Sequence, residues 1–276
     1  PRSTLDRASA ASDVYKRQAK EGLDIKGDQY PYNRWSTSLA AGLFPVWALE
    51  GGKEETLKRM ADEDLRGIII DDLNKLFDRR KGPEAVMIGR YSEDESFEGK
   101  NLVQIAKILQ TNPAEAVLKL YENSDPVIIE DGIIDEDIEK FVKHPFIAVA
   151  SDGNSVSKEG ILSAGKPHPR FYGTNPRFIQ KYVNEKKLVS IQEAIRKMTS
   201  LPASRLGLTN RGKLIPGYAA DVVVMELEKV KANATFLDPH QYPSGITHVI
   251  VNGEIVIEDE EFTGKTPGQM ITDFNS

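Results

Sequence analysis

The spacing of apolar positions changes character along the chain. LDIKGDQYPY (Leu23–Tyr32) alternates and ends in a proline-containing turn, which predicts a strand followed by a loop. From about Asn33 to Lys143 the pattern is mostly helical. A helix is predicted over Glu54–Ala61, then a short strand at Ala85–Gly89 and three amphipathic helices. Asn101–Gln110 repeats apolar residues at Leu102, Ile105, Ala106 and Leu109, and Pro113 suits the first helical position of Pro113–Glu122. Asp135–Lys143 places Ile138, Phe141 and Val142 on one face.

The run FIAVAS (Phe146–Ser151) is continuously apolar and ends at Asp152-Gly153. Such a run suits a parallel strand covered by helices. A loop punctuated by Gly and Pro follows (153–170), then a helix near Pro176–Lys186. Ser190-Ile-Gln-Glu193 reads as a capping box opening the helix Ile191–Thr199. Beyond it the pattern becomes mostly β. Asp221–Glu226 is a predicted strand, and His248–Ile257 is a predicted hairpin whose Asn252-Gly253 suits a type I′ turn.

Composition narrows this picture. The chain has 276 residues, 39% hydrophobic and 28% charged, which is ordinary globular protein of one large domain or two. A net charge of −6 with scattered Lys and Arg offers no basic face for nucleic acid. The absence of cysteine excludes disulfides and thiolate metal sites within this stretch. No apolar run approaches the ~18 residues of a membrane span. Ser9–Gln18, SAASDVYKRQ, resembles the conceptual translation of a transposon-end sequencing adapter. Residues 1–18 are therefore expected to be non-native rather than a polar helix, with native sequence from near Ala19.

Asp-Gly after an apolar strand is by itself most often a turn, because both residues favour turns for local reasons. Here it has company. Lys166-Pro-His-Pro-Arg170, followed by Phe-Tyr-Gly-Thr174, forms a stiff loop just beyond a strand end, where α/β folds place their sites.

The ordered motifs DQYPY (Asp28–Tyr32), PVWALEGG (Pro45–Gly52), GKNLVQIA (Gly99–Ala106), HPFIAVASDG (His144–Gly153) and KPHPRFYGTNPR (Lys166–Arg177) resemble the N-acyl-D-amino-acid deacylases (D-aminoacylases), metal-dependent amidohydrolases. The resemblance continues through EAIRKMTSLPASRLGL (Glu193–Leu208), RGKLIPGYAADVVV (Arg211–Val224), ATFLDPHQYPSGI (Ala234–Ile246), VIVNGEIV (Val249–Val256) and TGKTPGQM (Thr263–Met270). It implies an α/β fold: the C-terminal part of a (β/α) TIM barrel plus part of a small β-sandwich domain. Residues 19–208 would be barrel, with an insertion at about 33–143, and 209–276 would be the small β domain. Leu23–Tyr32 would be the seventh barrel strand and Phe146–Ser151 the eighth.

The resemblance also implies chemistry. A bound zinc acidifies a water and polarises the amide carbonyl. A carboxylate at the end of the last strand takes the water's proton and passes it to the leaving nitrogen. Asp152 matches that carboxylate. Arg170 matches the residue gripping the substrate's α-carboxylate, work suited to a planar charged fork. Tyr32 matches a tyrosine that contributes to that grip, although Tyr30 is close by. His168 either orients the loop or touches substrate. The family's metal ligands are an H-x-H pair, a Cys and two further His upstream of the YPY strand. Among the four His here none forms H-x-H, so zinc is expected in the full-length enzyme and none on this chain, which is expected to be inactive alone. The implied partner is a small N-acyl-D-amino acid, with neither nucleic acid nor membrane, in the cytoplasm. A cyclic-amide hydrolase of dihydroorotase or hydantoinase type is the alternative within the superfamily, and a non-catalytic binding protein is the alternative outside it.

Overall fold

The computed structural model describes Arg17, residues 20–23 and residues 25–272. The adapter-like segment, Arg17 apart, lies outside the described residues.

Strand β1 (Gly27–Gln29) occupies the middle of the predicted Leu23–Tyr32 stretch. Strand β2 (Arg34–Ser38) follows at once, and helices α1 (Leu39–Leu43) and α2 (Val46–Leu49) turn the chain back. Helix α3 (Lys53–Ala61) leads into α4 (Glu63–Arg79), whose first turn is capped by the Asp62 carboxylate accepting from Leu65 N–H at 3.0 Å. Strand β3 (Val86–Arg90), helix α5 (Leu102–Ile108), helix α6 (Pro113–Asn123) and strand β4 (Val127–Asp131) complete this region. Asn101 and Gln104 form the capping box of α5, and Asn112 caps α6 ahead of Pro113.

Strands β2, β4 and β3 form an antiparallel sheet in that order, with Arg34 opposite Asp131 and Ile88 opposite Ile128. The sheet and its helices enclose a core that includes Leu39, Ile69, Leu73, Ile88, Leu102, Leu118 and Ile128. The sequence pattern showed only β3 of these three strands. The other two become a sheet by pairing across the whole region, a contact that local spacing does not carry.

Helix α7 (Asp135–Lys143) packs elsewhere. Its Ile138 and Val142 join Val149, Phe178, Tyr182 and Ala194 in a second core. Strand β5 (Ile147–Val149) pairs parallel with β1, Gly27 opposite Ile147 and Gln29 opposite Val149. That is the adjacency expected of consecutive strands of a (β/α) barrel. The next helix, α8 (Arg170–Phe178), starts six residues before the predicted Pro176. Proline's fixed φ fits a helix, and its missing N–H leaves one i−4 carbonyl without an intrahelical donor. Residues Ile179–Glu185 continue as a π-helical turn.

Ser190 caps α9 (Ile191–Met198), its hydroxyl accepting from Glu193 N–H at 3.2 Å. The reciprocal half of the predicted capping box is not made, because the Glu193 carboxylate turns to Arg196 at 2.7 and 2.8 Å. Helix α10 (Ser200–Arg205) leads to an antiparallel meander: β6 (Val222–Met225), β7 (Ile246–Val251), β8 (Glu254–Glu258) and β9 (Glu261–Phe262). Asn252 and Gly253 both have positive φ, 49° and 84°, as the type I′ turn between β7 and β8 requires. The motif residues Arg211, Asp221 and Asn252 meet beside this turn. Arg211 pairs with Asp221 and donates to Asn252 Oδ1 at 3.2 Å, while Asn252 N–H donates to Asp221 Oδ1 at 2.9 Å. That motif braces the small sheet.

Candidate active site at the end of strand β5

β5 ends three residues before Asp152, which takes φ = 46°, in the left-handed region. A non-glycine residue there costs about 1–2 kcal/mol unless its surroundings hold it. Arg170, the first residue of α8, does so. Its Nε–H donates to the Asp152 carbonyl at 2.9 Å, and Nη2 pairs with Oδ2 at 2.8 Å. The arginine side chain is 5% exposed and the aspartate side chain 70% exposed. The guanidinium lies 4.8 Å from the Tyr30 ring and 5.5 Å from the Phe171 ring. Its buried Nη1 has no acceptor. A buried guanidinium donor without a partner is costly, and an incoming acceptor would relieve it.

His168 holds the turn that carries Arg170. Its Nδ1 accepts from Arg170 N–H at 3.0 Å, so its Nε2 carries the proton and donates to Arg34 C=O at 3.0 Å. Burial, reinforced by the Arg170 charge, pushes this imidazole down to about 3, so it is neutral at ordinary pH. The Tyr32 and Phe236 rings stand edge-on to it at 5.2 and 5.1 Å.

Tyr32 is 2% exposed and donates to Pro169 C=O at 3.3 Å, and burial pushes its hydroxyl up to about 12. A side chain on residue 173 would approach that hydroxyl to 2.6 Å, so Gly173 permits the contact. Tyr30, by contrast, is partly exposed and lies against Arg170. Burial raises its pKa, Arg170 opposes the rise and the Asp152 charge adds to it. Four of the sequence-predicted features therefore come together: Asp152, Arg170, His168 and Tyr32. Asp152 and Arg170 touch directly, whereas Tyr32 and His168 lie behind them, supporting the turn. Phe236 was missed. It arrives from the excursion between β6 and β7, and its only sequence signal was its place in the ATFLDPHQYPSGI motif.

The described residues do not fit a zinc site. Among them no group of three or more His, Cys, Asp or Glu is placed to hold a metal ion. His168 uses both ring nitrogens as above, and His240 uses both on Tyr172 Oη (2.8 Å) and Gly165 C=O (3.0 Å). Among the described residues no helix is long and apolar enough to cross a membrane.

Comparison with known proteins agrees with this architecture. Residues 163–257 match the family model of the amidohydrolase family. The N-acyl-D-aspartate deacylase of Alcaligenes xylosoxydans xylosoxydans is 38% identical over 166 residues, 60% of this chain and 30% of that protein. A crystal structure of D-aminoacylase, which defined a subset of amidohydrolases, superimposes with a TM-score of 0.70 at 26% identity, over 95% of this chain and 46% of that one. N-acyl-D-glutamate deacylase from Bordetella bronchiseptica, solved with zinc and a phosphonate mimic of the tetrahedral intermediate, gives 0.70 at 26% identity, over 91% and 43%. The chain thus spans less than half the length of these relatives. In sequence and in fold, it resembles the N-acyl-D-amino-acid deacylases, as its motifs had indicated.

Proposed function

We propose that this chain supplies the proton-transferring carboxylate and the carboxylate-binding arginine of an enzyme that hydrolyses the amide bond of N-acyl-D-amino acids. The observation that carries the reading is the Asp152–Arg170 pair: a solvent-open carboxylate at a strand end beside a buried guanidinium with one unpartnered Nη. Arg170 fixes the α-carboxylate of the substrate, which reaches Nη1 when Tyr30 or the Asp152 side chain shifts aside. Asp152 accepts a proton from the attacking water as the new C–O bond forms at the amide carbonyl. It returns that proton to the nitrogen as the C–N bond breaks, releasing a carboxylic acid and a D-amino acid. His168 and Tyr32 keep Arg170's turn in place. Zinc is the expected cofactor of the whole enzyme, held by residues outside those described here.

We also take residues 34–131 as a unit inserted between two barrel strands, narrower than the expected 33–143 because helix α7 packs in the second core, and residues from about 209 onward as a small β domain. The separation of the two hydrophobic cores supports the first boundary. The proposed partners are small molecules, with no role for nucleic acid or a membrane.

The test is a protein carrying these residues at the full length of its relatives, assayed with N-acetyl-D- and N-acetyl-L-amino acids and analysed for metal. Hydrolysis of the D series, lost in Asp152→Asn, is expected. A protein that binds no metal and releases no D-amino acid would sink the proposal.

A further inference from the structure

The chain between β6 and β7 leaves the small sheet, returns to the candidate site, and closes on itself through the Lys231–Ser244 bridge. Its Phe236 ring lies 5.1 Å from His168, 6.2 Å from Tyr32 and 4.5 Å from the Arg34 guanidinium. Leu237 C=O accepts from Lys166 Nζ at 2.8 Å. His240 joins Gly165 C=O to the Tyr172 hydroxyl. Residues 236–240 thus hold the loop that precedes Arg170 and also the helical turn that follows it.

We propose that this excursion positions Arg170, with Phe236 acting through His168 and His240 acting through Tyr172. Neither residue touches the ligand. The proposal rests on Arg170 being the carboxylate grip, and it gives the small β domain a part in setting that grip.

The physical link is the imidazole of His168. The rings of Tyr30, Tyr32 and Phe236 surround it, and the charged groups facing it are the three cations Arg34, Arg170 and Arg177. Dry and among cations, it stays neutral, with Nδ1 free to accept the Arg170 N–H. Without Phe236 one face opens to water and the ring can protonate. A protonated Nδ1 cannot accept, so the bond that fixes the start of α8 is lost.

Labelling of histidine and arginine with 15N tests this directly, since the chain has only four His. In the unaltered protein one imidazole should remain a neutral Nε2–H tautomer below pH 5. The Arg170 Nε–H, identified by its loss in Arg170→Lys, should exchange slowly. In Phe236→Ala that imidazole should titrate at a clearly higher pH than in the unaltered protein, though below the ordinary ~6.5 because the three arginines remain, and the Arg170 signal should exchange fast. Affinity for N-acetyl-D-alanine should fall roughly tenfold at low pH, where the ring is protonated in the variant, and recover toward pH 8, where it is neutral again. Phe236→Tyr, which keeps the ring, should behave as the unaltered protein. The His144 and His248 signals report the fold in the same spectrum, and if they collapse, Phe236→Leu replaces the alanine variant. Unchanged imidazole titration and arginine exchange in the variant would overturn the proposal, as would four ordinary titrations in the unaltered protein. If both NMR changes occur but N-acetyl-D-alanine binds neither protein, positioning stands and the carboxylate-grip reading fails instead.

Discussion

Arg170 holds Asp152 twice, by the carbonyl oxygen through Nε at 2.9 Å and by the carboxylate through Nη2 at 2.8 Å. One guanidinium thereby fixes both the backbone and the side chain of a residue at φ = 46°. The left-handed backbone turns the carbonyl toward the fork, and the fork offsets the strain of that backbone.

Lysine cannot reproduce this double contact, because its ammonium is a point charge without a fork. In the full-length enzyme Arg170→Lys should lower kcat/KM by about a hundredfold or more, largely through KM. If Asp152 carries the proton as proposed, Asp152→Asn, which keeps the shape and removes the carboxylate, should lower kcat by about a thousandfold with KM changed only a few-fold. Steady-state kinetics with an N-acetyl-D-amino acid separates the two signatures.

His168 makes stability depend on pH. Its folded value is about 3 against an ordinary value of ~6.5, so the unfolded chain binds more protons between those limits. Stability is therefore full above pH ~6.5 and is lost as pH falls toward 3. Between pH 7 and pH 5 the unaltered protein should lose on the order of 2 kcal/mol that His168→Gln does not lose. Urea unfolding midpoints at the two pH values measure the difference.

Lys197 works in the alkaline range. It is 1% exposed and donates to His144 C=O and, at 2.8 Å, to Ile147 C=O at the start of β5. Burial lowers its pKa to about 8, with Glu193 opposing. The unfolded chain then binds more protons between about 8 and ~10.4, so stability rises with pH across that window. Lys197→Met should be insensitive there. Its stability relative to the unaltered protein should fall by on the order of 2 kcal/mol between pH 8 and pH 10.

Glu130, 1% exposed on β4, meets Arg80 Nη1 at 2.8 Å. Burial raises its pKa and Arg80 opposes the rise. Arg80→Met leaves a buried carboxylate without its cation and should cost about 2–4 kcal/mol at pH 7. Much of that should return at a lower pH, where burial favours the neutral carboxyl, and in the double variant with Glu130→Gln. Chemical denaturation of the three proteins at both pH values checks it.

What the sequence revealed depended on how local each signal was. The Asn252-Gly253 turn, the Pro113 helix start and the β5 run were legible because a few adjacent residues set them. β2 and β4 were hidden, since RWSTS and VIIED become strands by pairing across the intervening helices, with each other and, for β4, with β3. Helix α4 passed unnoticed directly behind the predicted Glu54–Ala61 helix, although Asp62 caps it. At the site, Asp152 and Arg170 stood out once the motifs were taken in order. Tyr32 was legible as a neighbour, but its burial was not. Phe236 was hard to single out because its contacts, with His168, Tyr32 and Arg34, are all distant in sequence.

The pairing of Arg34 with Asp131, backed by Ile133 N–H donating to Asn33 C=O at 3.0 Å, means that residues 34–131 begin and end side by side. The region behaves as a cassette with a narrow neck, since joining its two ends needs only a short link and costs little chain entropy. It could be exchanged or lost while β1 and β5 stay in register. Yet Arg34 C=O, at the neck, is where His168 anchors the turn carrying Arg170. A cassette swap that kept the barrel but altered the neck would therefore be felt first in the turn that carries Arg170.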